Sequence, residues 1–214
     1  SAIEYSQKAI QVSVDPLYST TGKLLLCFSH AFCGNFQEID DLTKQTQQFC
    51  QDAGCGAWGA MAEILLGITT ISSGQMSKGL EMLRAVRDSY QKNKRMGQLA
   101  LPEYLLGKIY LQIVEGKNLP NFFTLARNIG FMAKNVPAAD KKAEGHFKRA
   151  IEITKEIGSM NYMARAYFDL GRLHKAKKRI DQARECISKA IELFEQCEAD
   201  VLLQEAKEAL ASLE

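Results

Sequence analysis

The chain has 214 residues, enough for one elongated domain or two small compact ones, and its 46% hydrophobic and 24% charged residues give no reason to expect disorder. A formal net charge of +2 is too balanced to imply a nucleic-acid or membrane partner. No apolar run approaches the roughly 18 residues that a membrane span needs, and the most apolar stretch, Ala60 to Ile71, is interrupted by Glu63.

In chain order, the first predicted element is a helix over residues 1–15 with Ala2, Ser6 and Ala9 on one face. It reads as the second helix of a pair whose first helix lies upstream, so the sequence is expected to be a fragment of a longer protein. A first repeat over 20–55 carries Leu26-Cys27, then Ile39, Thr43 and Thr46. A second over 60–95 carries Leu66-Gly67, then Gly79, Leu83 and Val86. A third over 100–159 carries Leu106-Gly107, and its matching triple Ala143, Phe147 and Ala150 is delayed by an insertion, residues 116–142. A fourth over 164–197 carries Leu170-Gly171, then Ala183, Ile187 and Ala190, and a capping helix is predicted over 199–213. Together they make a single domain over residues 1–214.

The repeat is a packing code. A small residue lets two helix axes approach, and a bulky residue one turn away fills the groove so formed. Glycine inside a helix costs about 1 kcal/mol against alanine, so glycines at matched places indicate close contact favoured over propensity. Pro16, Pro102, Pro120 and Pro137 are all expected at helix starts or between helices, as the cost of interior proline requires. No segment shows useful strand alternation. The expected fold is all-α, built from antiparallel helix pairs, about ten helices in all.

The pair Leu-Gly, followed twelve residues later by small, bulky, small, resembles the tetratricopeptide (TPR) signature. The forty-residue spacing from Gly67 to Gly107 exceeds that family's usual thirty-four and is similar to the extended repeats of maltose-type activators and signalling ATPases. The stretch from Ala143 to Leu213 resembles the helical tails of bacterial multidomain adenylate or guanylate cyclases. The resemblance implies a right-handed superhelix whose first helices line a concave, partner-binding side. On that side it implies Leu24, Phe28 and Phe32, then Ile64, Ile68 and Ile71, then Tyr104, Lys108 and Leu111, and finally Arg165, Asp169, Arg172 and Lys175. Phe28, Phe32, Ile64, Ile68, Tyr104, Lys108, Arg165, Asp169 and Arg172 are the candidate partner-contacting residues. The resemblance implies a cytoplasmic, non-catalytic module that holds a protein or peptide, possibly upstream domains of the same chain, with no nucleic acid and no membrane. A small-ligand sensor of the maltose-activator kind is the alternative.

Other motifs read as structure. Gly54-Cys55-Gly56-Ala57-Trp58-Gly59 matches G-x-G-x-x-G, but a helix precedes it where a dinucleotide site needs a strand, and Gly54 suits a helix C-cap. His30, His146 and His174 are expected to pack between helices. The basic run Lys175, Lys177, Lys178 and Arg179 is read as a solvated turn. Cys27, Cys33, Cys50, Cys55, Cys186 and Cys197 lack metal-ligand spacing and read as free, mostly buried thiols. No catalytic residues, cofactor or metal are expected. The amphipathic segment of the insertion, 121–134, has Phe122, Leu125, Ile129 and Met132 on one face. It could pack on its own repeat, fill the groove, or contact another molecule.

Overall fold

The computed structural model describes residues 2–32, 35–116 and 128–213. Among them are eleven α-helices and no strand: α1 (Ala2–Val12), α2 (Pro16–Phe32), α3 (Asp40–Asp52), α4 (Gly56–Ser72), α5 (Met76–Lys92), α6 (Met96–Glu115), α7 (Ile129–Asn135), α8 (Ala139–Ile157), α9 (Met160–Ala176), α10 (Ile180–Gln196) and α11 (Asp200–Ala211). The fold is all-α, made of helix pairs: α2 with α3, α4 with α5, α6 with α8, and α9 with α10. The contacts divide the chain into two compact units, Ser1–Val86 and Arg87–Glu214, with the boundary inside α5.

One corner recurs between helices. Residues 54, 74, 94, 158, 178 and 198 all have positive φ, between 52° and 90°. Those from 54 to 94, and from 158 to 198, stand twenty residues apart. Each is the left-handed residue of a Schellman turn. The next residue donates its N–H to the carbonyl five positions back, as in Cys55 to Cys50 (2.8 Å), Arg95 to Tyr90 (2.9 Å) and Arg179 to His174 (2.9 Å). The forty-residue repeat is therefore two half-periods of twenty, each a helix and a fixed corner. Glycine supplies the conformation at 54, 74 and 158, whereas Lys94, Lys178 and Glu198 adopt it with a Cβ, at a cost of about 1–2 kcal/mol.

The helices of a pair meet at the predicted small residues. A Cβ on Gly67 would lie 3.0 Å from the Leu83 side chain, and one on Gly79 would lie 2.5 Å from the Gly67 carbonyl oxygen. A Cβ on Gly107 would lie 2.8 Å from the Phe147 ring, and one on Gly171 2.5 Å from Ile187. Leu83, Phe147 and Ile187 are all fully buried. In the first pair Cys27 and Thr43 replace glycine and the bulky residue; both are fully buried, and the Thr43 hydroxyl donates to the Cys27 thiol at 3.5 Å. Two medium residues fill the space that a small and a large one fill elsewhere.

In the first unit the core gathers Leu24, Cys27, Ile39, Ala62 and Leu65. In the second, Ala164, Ala183, Ile187, Ala190 and Phe194 pack with Ala206 of α11, and Phe168 meets Phe194 edge-on at 6.2 Å.

Several expectations need correction. The helix pairs begin about four residues before the predicted repeat starts, because the first helical turns are largely exposed and carry no apolar periodicity. Pro102 is the seventh residue of α6, not a helix start. It removes one backbone donor from the helix interior and is itself buried. Pro16 opens α2, where the Asp15 carboxylate accepts from the backbone N–H of Leu17 at 2.7 Å. Pro137 lies in the 3-10 turn Val136–Ala138. Of the predicted inserted helix 121–134, the part carrying Phe122 and Leu125, like Pro120, lies outside the described residues. The described helix there is the seven-residue α7, in which Phe131 is buried and Met132 half-buried.

The glycine contacts are directly testable. Gly171→Ala gains propensity but forces a Cβ into Ile187, so it should lose about 1–2 kcal/mol net. Gly145, in α8, has nothing within 4 Å of its added Cβ, and Gly145→Ala should gain up to about 1 kcal/mol. Urea unfolding midpoints at constant m-value check both; equal shifts would contradict the contact.

Candidate functional site

On α6, Tyr104, Lys108, Leu111 and Glu115 recur at steps of four, three and four, which places them on one helical face. On α9, Arg165, Asp169 and Arg172 recur at four and three. The two faces meet within the second unit. The Tyr104 hydroxyl donates to Asp169 Oδ2 at 2.9 Å. Arg172 donates one guanidinium nitrogen to Asp169 Oδ1 at 2.9 Å and the other to Glu115 Oε2 at 2.7 Å. This polar chain joins α6 to α9 at points three helical turns apart. The Tyr104 ring lies between Phe147 of α8 and Tyr162 of α9, with centroids 6.2 and 6.4 Å away. Lys108 Nζ is 5.9 Å from the centroid of the same ring.

Burial shapes the electrostatics. Tyr104 is 2% exposed and Asp169 3%. Burial, then the neighbouring Asp169 carboxylate, pushes the Tyr104 phenol well above its ordinary range, with Arg165 opposing. Burial also raises Tyr162. For Arg172 burial acts against the charge, but Asp169 and Glu115 outweigh it and hold the guanidinium more strongly protonated. The cluster is a satisfied ion network with no nucleophile poised beside a base.

A second cluster joins α6 to α8. Glu103, 5% exposed, lies 2.6 Å through Oε2 from His146 Nδ1. His146 stacks on Tyr110 at 5.8 Å, and Lys142 Nζ sits 5.3 Å from the Tyr110 centroid while donating to Asn135 Oδ1 at 2.9 Å. His146 thus packs between helices, as its sequence position suggested, and also makes a short polar contact with a buried carboxylate. Nothing local in the sequence marks Glu103, because its partner is forty-three residues away.

The candidate face residues fall into two sets. Ile64, Tyr104 and Asp169 are buried and offer little surface to a partner. Phe28, Ile68, Lys108, Arg165 and Arg172 are half-buried and present part of their side chains. The side chain of Phe32 lies outside the described residues. Tyr18 and Leu25, 69% and 54% exposed on α2, extend the Phe28 stripe at steps of seven and three. The sequence reading chose the buried Leu24 and missed its exposed neighbour. In the first unit the first-helix face is apolar; in the second it is predominantly cationic.

The remaining motifs are also placed. Gly56 begins α4 directly after the corner, and no strand precedes the glycine-rich segment among the described residues. The basic run is more than a solvated turn. Lys175 donates to Ser212 Oγ at 2.6 Å, Lys177 pairs with Asp140 at 3.0 Å, and Arg179 pairs with Glu144 at 3.0 Å. Lys177 holds the Asp140 carboxyl below its ordinary value, while Lys148 and then Arg179 do the same for Glu144. His30 and His174 are both buried near the ends of first helices. Nδ1 of His174 has no hydrogen-bond partner, and burial lowers its pKa. Nδ1 of His30 lies 3.2 Å from Glu38 Oε2 without hydrogen-bond alignment. Among the described residues, no cluster of three or more His, Cys, Asp or Glu could hold a metal, and no helix is long and apolar enough to cross a membrane.

No family model matches the chain, and no curated protein matches it. Among solved structures, the crystal structure of BtubC (BKLC) from P. vanneervenii is similar over 99% of this chain and 81% of that one, with a TM-score of 0.62 and 15% identity. The likeness is one of fold.

Two outcomes test the Tyr104 network. Asp169→Ala should cost about 1–3 kcal/mol, since the buried phenol loses its acceptor while half-exposed, solvent-screened Arg172 keeps Glu115; thermal or urea unfolding reads this. The raised phenol favours the neutral form in the folded chain. Its stability contribution is therefore intact below the unfolded tyrosine pKa of about 10 and is lost as pH rises through the folded value. Tyr104→Phe should remove much of the stability loss above pH ~10, as measured by melting temperature against pH.

Proposed function

We propose that this chain is a non-catalytic interaction and regulatory module of the tetratricopeptide kind, cytoplasmic, and part of a larger signalling protein. Its helix pairs, twenty-residue half-periods and glycine-centred contacts support that reading. The observation that carries it is the division of labour along the first helices. Tyr104 and Asp169 lock the scaffold from inside, while Lys108, Arg165 and Arg172 remain half-exposed on the same faces. A rigid face with partly exposed charged ends suits recognition of a protein or peptide, where buried anchors set geometry and accessible polar ends set specificity. The resemblance of residues 143–213 to cyclase tails supports a nucleotide cyclase or signalling ATPase as the parent protein. On this reading catalysis belongs to other domains, and nucleic acid and membrane are not partners.

The test is a crosslinking pull-down with the parent protein. Phe28→Glu and Ile68→Glu on the first unit, and the double change Lys108→Glu with Arg165→Glu on the second, should each weaken an association at least tenfold without lowering the melting temperature markedly. Arg172 is a poor probe, because a glutamate there would meet Asp169 and Glu115. Associations unchanged by all three variants would overturn the proposal.

A further inference from the structure

The corner between α3 and α4 differs chemically from its counterparts. In a Schellman turn the residue that accepts the long-range hydrogen bond and the one that donates it are brought side by side, and their side chains commonly touch. At the other corners these two residues are Thr70 with Gln75, Tyr90 with Arg95, Thr154 with Ser159, His174 with Arg179 and Phe194 with Ala199. At this corner they are Cys50 and Cys55, closed by a 2.8 Å bond from the Cys55 N–H to the Cys50 carbonyl.

We propose that Cys50 and Cys55 are a dithiol oxidation site, which a hydroperoxide converts to an intramolecular disulfide across the α3–α4 corner. Three observations carry this. The 2.8 Å bond from the Cys55 N–H to the Cys50 carbonyl closes the turn between these two residues, the kind of chain reversal that a disulfide's Cα span of about 4.4–6.8 Å calls for. Gly54, left-handed at φ 67°, makes the reversal that returns Cys55 to the end of α3, where the Cys55 thiol makes only a long 3.8 Å contact to the Ala53 carbonyl. The exposures are unequal: Cys55 is half-buried and reachable, whereas Cys50 is 2% exposed, with its Cβ 3.6 Å from where a Cβ on Gly59 of α4 would stand. Burial, and then the neighbouring Cys55, pushes the Cys50 thiol above its ordinary range.

The chemistry assigns one role to each. The Cys55 sulfur attacks the outer oxygen of the hydroperoxide; the O–O bond breaks, an alcohol leaves, and Cys55 becomes a sulfenic acid. The Cys50 sulfur then attacks the Cys55 sulfur. The S–S bond forms, the S–O bond breaks, and hydroxide leaves with the Cys50 proton as water. Two thiols lose two electrons and the peroxide gains them. Because Cys50 is neutral when buried, the second step should quicken as pH rises from 7 to 9.

The experiment treats the full 214-residue chain with one to five equivalents of cumene hydroperoxide at pH 8.5, blocks free thiols, and maps peptides without reduction. A Cys50–Cys55 linkage as the main product, formed at the same rate on diluting the protein tenfold and reversed by dithiothreitol, is the expected result. Cys50→Ser and Cys50→Ala should abolish the linkage and leave Cys55 trappable by dimedone as the sulfenic acid. Cys55 joined to a different cysteine, a concentration-dependent dimer, Cys55 carried on to the sulfinic acid with Cys50 still free, or Cys55 left unoxidised would each overturn the proposal.

Discussion

In each of the last three pairs the two helices meet tightly at a glycine, and much else follows from it. With Gly67 against Leu83, Gly107 against Phe147 and Gly171 against Ile187, the bulky side chain sits so close to the facing helix that a Cβ there would lie only 2.5–3.0 Å from it. The bulky partner then loses all solvent exposure, which for a residue such as Phe147 is a contribution of about 3–5 kcal/mol against alanine. In the third pair the contact does a second job. Phe147 covers Gly107 and also flanks the Tyr104 ring, so the packing that joins α6 to α8 also positions the phenol that α6 offers to α9.

The corners impose the other regularity. A left-handed residue followed by a 6→1 hydrogen bond returns the chain in about three residues, so helix length is what sets the period. Three corners tolerate Lys94, Lys178 and Glu198 at the left-handed position. A conformational cost of about 1–2 kcal/mol is accepted there, and at Lys178 the flanking Lys177 and Arg179 tie the turn to Asp140 and Glu144. The third pair breaks the rhythm: α6 ends at Glu115 and Gly116, itself left-handed with φ 65°, and its partner α8 resumes only at Ala139.

Most of the charged groups buried in the second unit are paired, whereas Nδ1 of the buried His174 is not. Tyr104, Asp169, Arg172 and Glu115 form one chain, and Glu103 with His146 forms another. Each member left alone would carry a desolvation cost, so the networks demand one relative placement of α6, α8 and α9 and reject sliding by a helical turn. That specificity is what lets Lys108 and Arg165 stand at defined points on the accessible side.

The sequence by itself determined the helical class, the pairing of helices and the residues at the close contacts, because glycine, a bulky residue and alanine at helical spacing have a local meaning that no neighbour can alter. It also marked Tyr104, Lys108, Arg165, Asp169 and Arg172 as sharing faces, since periodicity alone decides which side of a helix a residue occupies. Only the tertiary structure decided which of them are buried. Tyr104 and Asp169 are interior because an aromatic and an acid on neighbouring helices satisfy one another there, and no local pattern announces a partner sixty-five residues away. The same reason hid Glu103 beside His146 and the ties of the basic run to Asp140 and Glu144: each depends on what a distant segment brings, and distance along the chain carries no signal of proximity in space.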